Sequence, residues 1–199
     1  MTAPGRPSEV ERHPNLLDPT ATALLVVDVQ ERFRSVIPEF ELMTAGCVRL
    51  ARAFRLLELP IIVTEQYPRG LGRTVPEIGD ALREGTGQGA TTLEKSSFSS
   101  YGCAGVPEKL RDLRVCSVLV CGIETHVCVN QTVHDLLHVP YSVHVAADAV
   151  RSRHALDHAS ALRKMERSGA VLTTAEMAAF ELMRDAKHPR FKEVQGLFK

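Results

Sequence analysis

The sequence predicts an α/β domain in which a parallel β-sheet carries helices on both faces, with right-handed crossovers. Three observations lead to this prediction. Residues 22–29, "TALLVVDV", form a nearly continuous β-branched run, which is typical of a strand buried on both faces. Strand-like and helix-like stretches then alternate roughly six times. Finally, 199 residues, 44% of them hydrophobic, suit one domain with a sizeable core.

The order of the elements follows from the apolar pattern. Strands are predicted at 22–29, 59–66, 91–100 (running into a loop), 114–123, 141–150 and 170–174. Helices are predicted around 47–57, over 129–137, from an N-cap at Ser152 to Ser168, up to Met183, and at 191–198. Residues 68–90 are rich in Gly and Pro and are predicted to be irregular, and Gly169 is a plausible helix stop. Residues 1–19, with several prolines and no apolar run, are predicted to be a flexible arm.

Composition narrows the classes of partner. Lys plus Arg equals Asp plus Glu, so the net charge of zero argues against nucleic acid as the main partner. No apolar run approaches the roughly 20 residues that span a bilayer, so no membrane is expected. The five cysteines are odd in number and form no CxxC pair, which argues against a disulfide framework or a zinc cluster. A cytoplasmic location is therefore expected.

Reactive side chains stand at three of the predicted strand ends. Asp28 closes the first strand, Lys95 the third, and Cys128 follows the fourth. The carboxyl ends of parallel strands form one crevice, where ligands bind in open α/β sheets. Each residue also has an ordinary interpretation: a helix cap for Asp28, a solvated loop cation for Lys95, and core packing for Cys128.

Cys128 is predicted to lie near the start of a helix. Helix N-termini carry partial positive charge and free amides, which stabilise a thiolate and an oxyanion. A nearby lysine adds to this effect, and a carboxylate can take the thiol proton. We therefore expect a lowered pKa at Cys128, whereas Cys47, Cys116 and Cys121 are expected to be packing residues.

Three segments resemble the signatures of the isochorismatase-like cysteine hydrolase superfamily: "LLVVDVQERF", "LEKSSFSS" and "CGIETHVCV". They occur in the family's order, and the resemblance covers about residue 20 to the C-terminus. It makes residues 20–199 the hydrolase domain. The segments "VTEQYPRGLGRTVPEI" and "HPRFKEVQGLFK" are most similar to the isochorismatase domain-containing branch.

The resemblance implies a three-layer α/β/α sandwich with a six-stranded parallel sheet, assembled as a homo-oligomer, dimer or higher. It implies a catalytic triad of Asp28, Lys95 and Cys128. It also implies a cis peptide between Ile123 and Glu124, and an oxyanion hole formed by the backbone N–H groups of Glu124 and Cys128.

One departure from the superfamily concerns metal. Nicotinamidases of this superfamily bind a metal through an Asp and histidines near the end of the second strand, where this chain has "TEQYPRG". We therefore expect no metal and no other cofactor. The retained cysteine favours hydrolysis of a C–N bond, of amide or carbamoyl type, in a small molecule through a thioester.

Two alternatives stay open: vinyl-ether hydrolysis of the isochorismatase type, and a non-catalytic interaction module that retains the pocket. Residues next to the reactive strand ends are the expected pocket walls: Phe33, Gln66, Tyr67, Phe98 and Thr125.

Overall fold

The computed structural model of the protein describes residues 12–84 and 89–199, and within them six strands form one parallel sheet. The strands are β1 (Thr22–Val27), β2 (Ile61–Gln66), β3 (Thr91–Lys95), β4 (Ser117–Ile123), β5 (Ser142–Arg151) and β6 (Val171–Thr173). Their order across the sheet is β3-β2-β1-β4-β5-β6. All six strands lie within or close to the predicted ranges, and the predicted α/β class with a parallel sheet is confirmed.

Helices cover both faces of the sheet. They are α1 (Phe40–Leu56), α2 (Pro68–Leu71), α3 (Pro76–Arg83), α4 (Gly105–Asp112), α5 (Asn130–His138), α6 (Ala155–Arg167), α7 (Ala175–Met183) and α8 (Phe191–Gly196). A π-helical turn, Thr125–Val129, precedes α5. Helices α1, α3 and α7 pack on one face, and α4, α5 and α6 on the other.

The sequence of β1 explains why the sheet is buried on both sides. Leu24 and Val26 point into the core under α1, whereas Leu25 and Val27 point into the core under α5. Successive strand residues face opposite sides, so a continuous apolar run serves two cores at once. Every residue of β1 is buried.

Residues 68–90 differ from the prediction of an irregular stretch. Pro68 and Pro76 open α2 and α3, where their missing N–H groups are not needed by the helix. Helix α4, with Pro107 in its first turn, is likewise absent from the predicted elements. Proline disrupts the interior of a helix, but at these positions it lies in the first turn and is compatible with helix formation. Residues 85–88 lie outside the described part of the chain.

Two predicted caps have different outcomes. Ser152 does not cap α6, because the N-cap is His154 and the Ser152 hydroxyl lies 3.0 Å from His126 Nδ1. Gly169 follows α6 as predicted, with a φ of +106° that favours glycine.

The predicted arm of residues 1–19 also differs where it is described. Residues 1–11 lie outside the described range. Leu17 is fully buried in the core under α1, and its N–H donates to the Glu181 side chain over 3.1 Å. Arg12 donates to the Glu181 carbonyl oxygen. Arg12 and Leu17 are thus held against α7, whereas residues 13–16 between them are exposed. Over the two described segments, no helix has the length and apolarity to cross a bilayer.

The strand order places a topological switch point between β1 and β4. From β1 the chain proceeds to β2 on one side, and from β4 to β5 on the other. Loops leaving the carboxyl ends of these two strands therefore diverge and open a crevice, where ligands bind in such folds.

Candidate active site

The structure brings Asp28 and Lys95 together at the carboxyl edge of the sheet. Asp28 follows β1 directly, and Lys95 is the last residue of β3, which is separated from β1 by β2. The lysine side chain therefore reaches across the end of β2, and its Nζ lies 2.6 Å from Asp28 Oδ2. Both side chains are almost wholly shielded from solvent.

Four acceptors surround the ammonium group of Lys95. Besides Asp28, it donates to Gln66 Oε1 over 2.8 Å and to the carbonyl oxygens of Ser97 and Phe98 over 3.0 and 2.9 Å. An ammonium has three protons, so the group has no donor left without a partner. Lys95 is a fixed, buried cation and not the solvated loop lysine of the ordinary interpretation.

The Asp28 carboxylate is held on its other side by Thr64. Thr64 Oγ1 donates to Oδ1 over 2.8 Å, and the Asp28 backbone N–H donates to the Thr64 carbonyl oxygen. Asp28 itself has a φ of 51°, in the left-handed region that few residues other than glycine adopt. The backbone adopts this conformation directly after β1, and the carboxylate of Asp28 lies against Lys95.

Cys128 lies in the π-helical turn after β4 and interacts with the Asp28 carboxylate. The residue is 7% exposed. Thr132 Oγ1 donates to its carbonyl oxygen over 2.6 Å. Just upstream, the peptide bond between Ile123 and Glu124 is cis. The three predicted reactive residues thus form one cluster.

Burial governs the protonation of this cluster. Burial raises the pKa of Cys128 to about 12, and the negative charge of Asp28 adds to the increase while Lys95 opposes it. Burial likewise raises the pKa of Asp28, against the charge and hydrogen bond of Lys95 and the hydrogen bonds of Thr64 and Cys128. The sequence-based expectation of a lowered Cys128 pKa is therefore wrong. One lysine cannot balance two negative charges in a desolvated site.

A chain of buried hydroxyl groups lies behind the cluster and was not predicted. Thr64 uses its proton on Asp28, so Ser100 Oγ, 3.1 Å away, is the donor to Thr64. The Ser100 N–H donates to Thr132 Oγ1, which in turn donates to the Cys128 carbonyl oxygen. This chain links the carboxylate to the backbone of the cysteine. Isolated serines and threonines carry no motif, so nothing in the sequence marks them.

The loop that carries Glu124 is held by side chains from the β5–α6 region. The Glu124 carboxylate, itself buried, accepts from Arg153 N and Nε over 3.1 and 3.0 Å. Thr125 Oγ1 lies 2.9 Å from His158 Nδ1. Burial, with a smaller effect of Arg151, lowers the pKa of His158. Arg153 and His158 thus support the turn that carries Cys128, and no motif in the sequence selects them.

The five expected pocket walls have different outcomes. Gln66 contacts Lys95 directly, and the exposed rings of Tyr67 and Phe98 flank that contact in sequence. Phe33 is half-buried and packs against the core under α1. Thr125 is fully buried against His158, which contradicts the expectation that it lines an open pocket.

His158 also lines a cavity of about 240 Å³. Its other lining residues include Glu39, Arg151 and Ser152, and Arg151 forms an ion pair with Glu39. The contact of His158 with Thr125 connects this lining to the turn that carries the cysteine.

The remaining cysteines are free, and two of them match the expectation of packing. Cys47 and Cys121 are buried in the core under α1, whereas Cys116 is exposed, contrary to the expectation. In residues 12–84 and 89–199, no three His, Cys, Asp or Glu side chains are arranged to hold a metal ion.

The family of the chain follows from comparison with known proteins. The model of the isochorismatase domain matches residues 22–177. This protein belongs to the isochorismatase family. An isochorismatase domain-containing protein 2 from Xenopus laevis is 45% identical over 181 residues, which cover 89% of this chain and 83% of that relative.

Solved structures support the same family and fold. A structure from Caenorhabditis elegans, described as the MAR1 ribonuclease, is 42% identical with a TM-score of 0.85, covering 92% of this chain and 91% of that one. The Escherichia coli YcaC gene product, described as an octameric hydrolase of unknown specificity, is 22% identical with a TM-score of 0.83, covering 95% and 91%. The second likeness shows the fold alone. The resemblance noted in the sequence to the isochorismatase domain-containing branch is thus confirmed.

Proposed function

We propose that the protein is a cysteine-dependent hydrolase of a C–N bond, of amide or carbamoyl type, in a small molecule. The observation that carries the proposal is the contact of a buried carboxylate with both a buried ammonium and a thiol. Asp28 interacts with Cys128, and its other partner is Lys95 at 2.6 Å. This set provides a nucleophile, a base and a fixed positive charge.

The pKa of Cys128 and the ion pair of Asp28 with Lys95 define the proposed resting state. Because the pKa of Cys128 is about 12, the resting site holds a neutral thiol, an Asp28 carboxylate and a Lys95 ammonium, with zero net charge. Asp28 takes the thiol proton as Sγ attacks the substrate carbonyl carbon. The negative charge then passes to the carbonyl oxygen, so the total charge stays zero. Lys95 thus opposes one negative charge at every stage.

The remaining steps return the proton. Protonated Asp28 gives its proton to the leaving amine as the C–N bond breaks, which leaves a thioester on Cys128. Water then attacks the thioester while Asp28 accepts a proton from it, and collapse of this second intermediate releases the acid and restores the thiol. We assign the oxyanion to the backbone N–H groups of Glu124 and Cys128.

Several coarser expectations belong to this proposal. The substrate is a small molecule, the protein uses neither a metal nor another cofactor, and it binds neither nucleic acid nor membrane. Five free cysteines suit the reducing cytoplasm. We further propose a homo-oligomer, dimer or higher. The octameric description of the YcaC relative is one motivation for this last point.

Ribonuclease activity is the second candidate, because a relative of known structure at 42% identity bears that description. The balanced charge of this chain weighs against it, since RNA-binding surfaces are usually basic. Vinyl-ether hydrolysis and a non-catalytic interaction module also compete with the proposed reaction, and the same experiment tests them.

The experiment is a screen of primary amides and carbamoyl compounds for ammonia release, with a vinyl ether and a labelled RNA oligonucleotide assayed in parallel. We expect turnover of at least one amide or carbamoyl compound, and a loss of about a thousandfold or more in Cys128→Ala. Cys116→Ala, which changes an exposed cysteine, is the matched control.

Three further results would each favour a different function. Full activity of Cys128→Ala on the vinyl ether favours isochorismatase-type chemistry. Cleavage of RNA that disappears in Cys128→Ala favours a ribonuclease. Absence of turnover on every compound contradicts the proposed hydrolase and favours the interaction module.

A further inference from the structure

A second cavity is lined by residues other than the three reactive ones. It has a volume of about 540 Å³ and is bounded by α1, α3 and Leu197, which follows α8. Small-molecule sites occupy roughly 300 to 1,000 Å³. The cavity shares no lining residue with the cluster of Asp28, Lys95 and Cys128.

Two polar atoms of α1 at this cavity are buried without a hydrogen-bond partner. They are Thr44 Oγ1 and Arg49 Nε, and both residues line the cavity. Thr44 is only 3% exposed. The large majority of buried side-chain polar atoms in proteins have a partner, so two without one at a single cavity require an explanation.

The neighbouring Arg52 has an ion-pair partner, whereas Arg49 does not have one among the described residues. Arg52 also lines the cavity, but it donates to both carboxylate oxygens of Glu84, over 2.8 and 2.7 Å. Arg49 makes no such ion pair within the described residues. A guanidinium and a hydroxyl group that both need partners are suited to a carboxylate, which can accept from each.

The rim of the cavity restricts the rest of the ligand. Glu41, Glu77 and Asp80 also line it, so its formal charge with the two arginines is −1. Glu77 is paired with Arg34 at 2.8 Å and Asp80 is paired with Arg83, whereas Glu41 approaches Arg34 only at 3.7 Å. A ligand with several negative charges would be repelled by this rim, and a cationic group would be attracted.

We propose that this cavity binds a small zwitterion of the amino-acid class. Its carboxylate accepts hydrogen bonds from Arg49 and Thr44, and its ammonium lies near the acidic rim at Glu41. The inference concerns a separate site and does not depend on the proposed hydrolase activity.

The test is isothermal titration calorimetry of the full chain with three probes that have the same number of carbon atoms. These are 5-aminovalerate, valerate, which lacks the amine, and pentylamine, which lacks the carboxylate. We expect 5-aminovalerate to bind wild type about tenfold or more tightly than either of the others, because only it satisfies both ends of the site.

Three variants locate the binding. Arg49→Gln should weaken 5-aminovalerate binding by about tenfold or more because it removes the positive charge, and Thr44→Val by a smaller factor because it removes the hydroxyl donor. Arg163→Gln, on the exposed face of α6, should bind as wild type does. Thermal melts establish folding, and Thr44→Val should be at least as stable as wild type because it removes an orphaned hydroxyl.

Three results would overturn the proposal. They are the absence of any binding heat with wild type, equal affinity for 5-aminovalerate and valerate, and unchanged binding in a folded Arg49→Gln variant. The first result would mean that the protein has no such binding site. The second would mean that the ligand's amine is not recognised. The third would mean that the ligand binds somewhere other than this cavity.

Discussion

Lys95 is the residue on which the charge balance of the candidate site depends. Its ammonium is buried and fully bonded, with Asp28 as its charged partner at 2.6 Å. A buried pair of this kind contributes little net stability, but removing one partner leaves the other charge without compensation. The role of Lys95 in folding and its role in chemistry should therefore be separable.

Lys95→Met should abolish hydrolysis and also destabilise the fold, by roughly 3 to 5 kcal/mol. The reason is that Asp28 loses its cation, so its pKa rises further and a larger fraction of it is protonated. A protonated Asp28 cannot accept the thiol proton. Urea unfolding and the amide assay measure the two effects, and Lys164→Met, on the surface of α6, is the control.

The double variant Asp28→Asn with Lys95→Met separates charge from packing. It should recover most of the lost stability, since no uncompensated charge remains, while activity stays absent. If Lys95→Met were as stable and as active as wild type, the charge-balance role would be wrong.

Cys128 should react slowly with iodoacetamide near neutral pH. Its pKa of about 12 leaves little thiolate, so its alkylation rate should rise by about tenfold per pH unit above neutrality. Peptide mass mapping over a pH series measures the rate for each cysteine. The exposed Cys116 is the internal reference and should be labelled faster near pH 7. A rate at Cys128 that is already maximal at neutral pH would contradict the neutral resting thiol.

At the scale of single residues, part of the candidate site can be predicted from the sequence. Asp28, Lys95 and Cys128 can be selected because reactive groups at strand ends converge in a parallel sheet. Thr64, Ser100 and Thr132 cannot, because each owes its role to a partner distant in sequence. The pKa of Cys128 is predicted in the wrong direction, because a helix start suggests stabilisation of charge whereas the degree of burial is known only from the fold.

Among the elements, β4 lies so close to β1 that Gly122 has no room for a side chain. Gly122 has a φ of +115°, and a Cβ built on it would overlap the carbonyl oxygen of Val27 in β1. Only glycine fits there, since both the conformation and the space exclude a side chain. The contact joins the two strands whose ends carry Asp28 and Cys128.

Gly122→Ala should therefore cost more than about 3 kcal/mol of stability, because the methyl group would push β4 away from β1. Gly169→Ala is a matched control, since its φ of +106° is similar but no atom lies within 4 Å of the added methyl. It should cost only the backbone strain, about 1 kcal/mol. Urea unfolding of both variants measures the difference in stability. Equal losses of stability would show that backbone strain alone accounts for the cost at Gly122.

The strands and most helices can be predicted because their signals lie in the local sequence. β1 and β4 are apolar enough to be recognised without tertiary information, and Gly169 marks the end of α6 by its own conformational freedom. The short helices α2, α3 and α4 escape prediction because each contains both glycine and proline, and their formation depends on local position and tertiary packing.

For the molecule as a whole, His144 couples folding to pH. It is fully buried in β5, its Nδ1 has no partner, and burial lowers its pKa to about 4. The unfolded chain takes up this proton near pH 6.5, so acid favours unfolding. The stabilising contribution is complete above about pH 6.5 and is lost as the pH falls to about 4.

Replacing His144 with Leu should remove about 3 kcal/mol of the acid-induced loss of stability between pH 7 and 4. The difference between wild type and variant isolates this group from His158, whose lowered pKa acts in the same direction, and from Asp28, whose raised pKa acts in the opposite one. Urea unfolding at a series of pH values is the measurement. If the free energy of unfolding fell by the same amount in both proteins as the pH is lowered, His144 would not be the cause of the loss of stability in acid.

The buried hydroxyl chain from Thr64 through Ser100 to Thr132 has a consequence for how the protein can diversify. It fixes the carboxylate relative to the cysteine from behind, whereas the exposed rings of Tyr67 and Phe98 take no part in it. We therefore expect substitution of those two rings, which are among the predicted pocket walls, to change substrate preference while the reacting groups keep their alignment. Directed evolution of new specificities should begin at these two positions and leave the three hydroxyls unchanged.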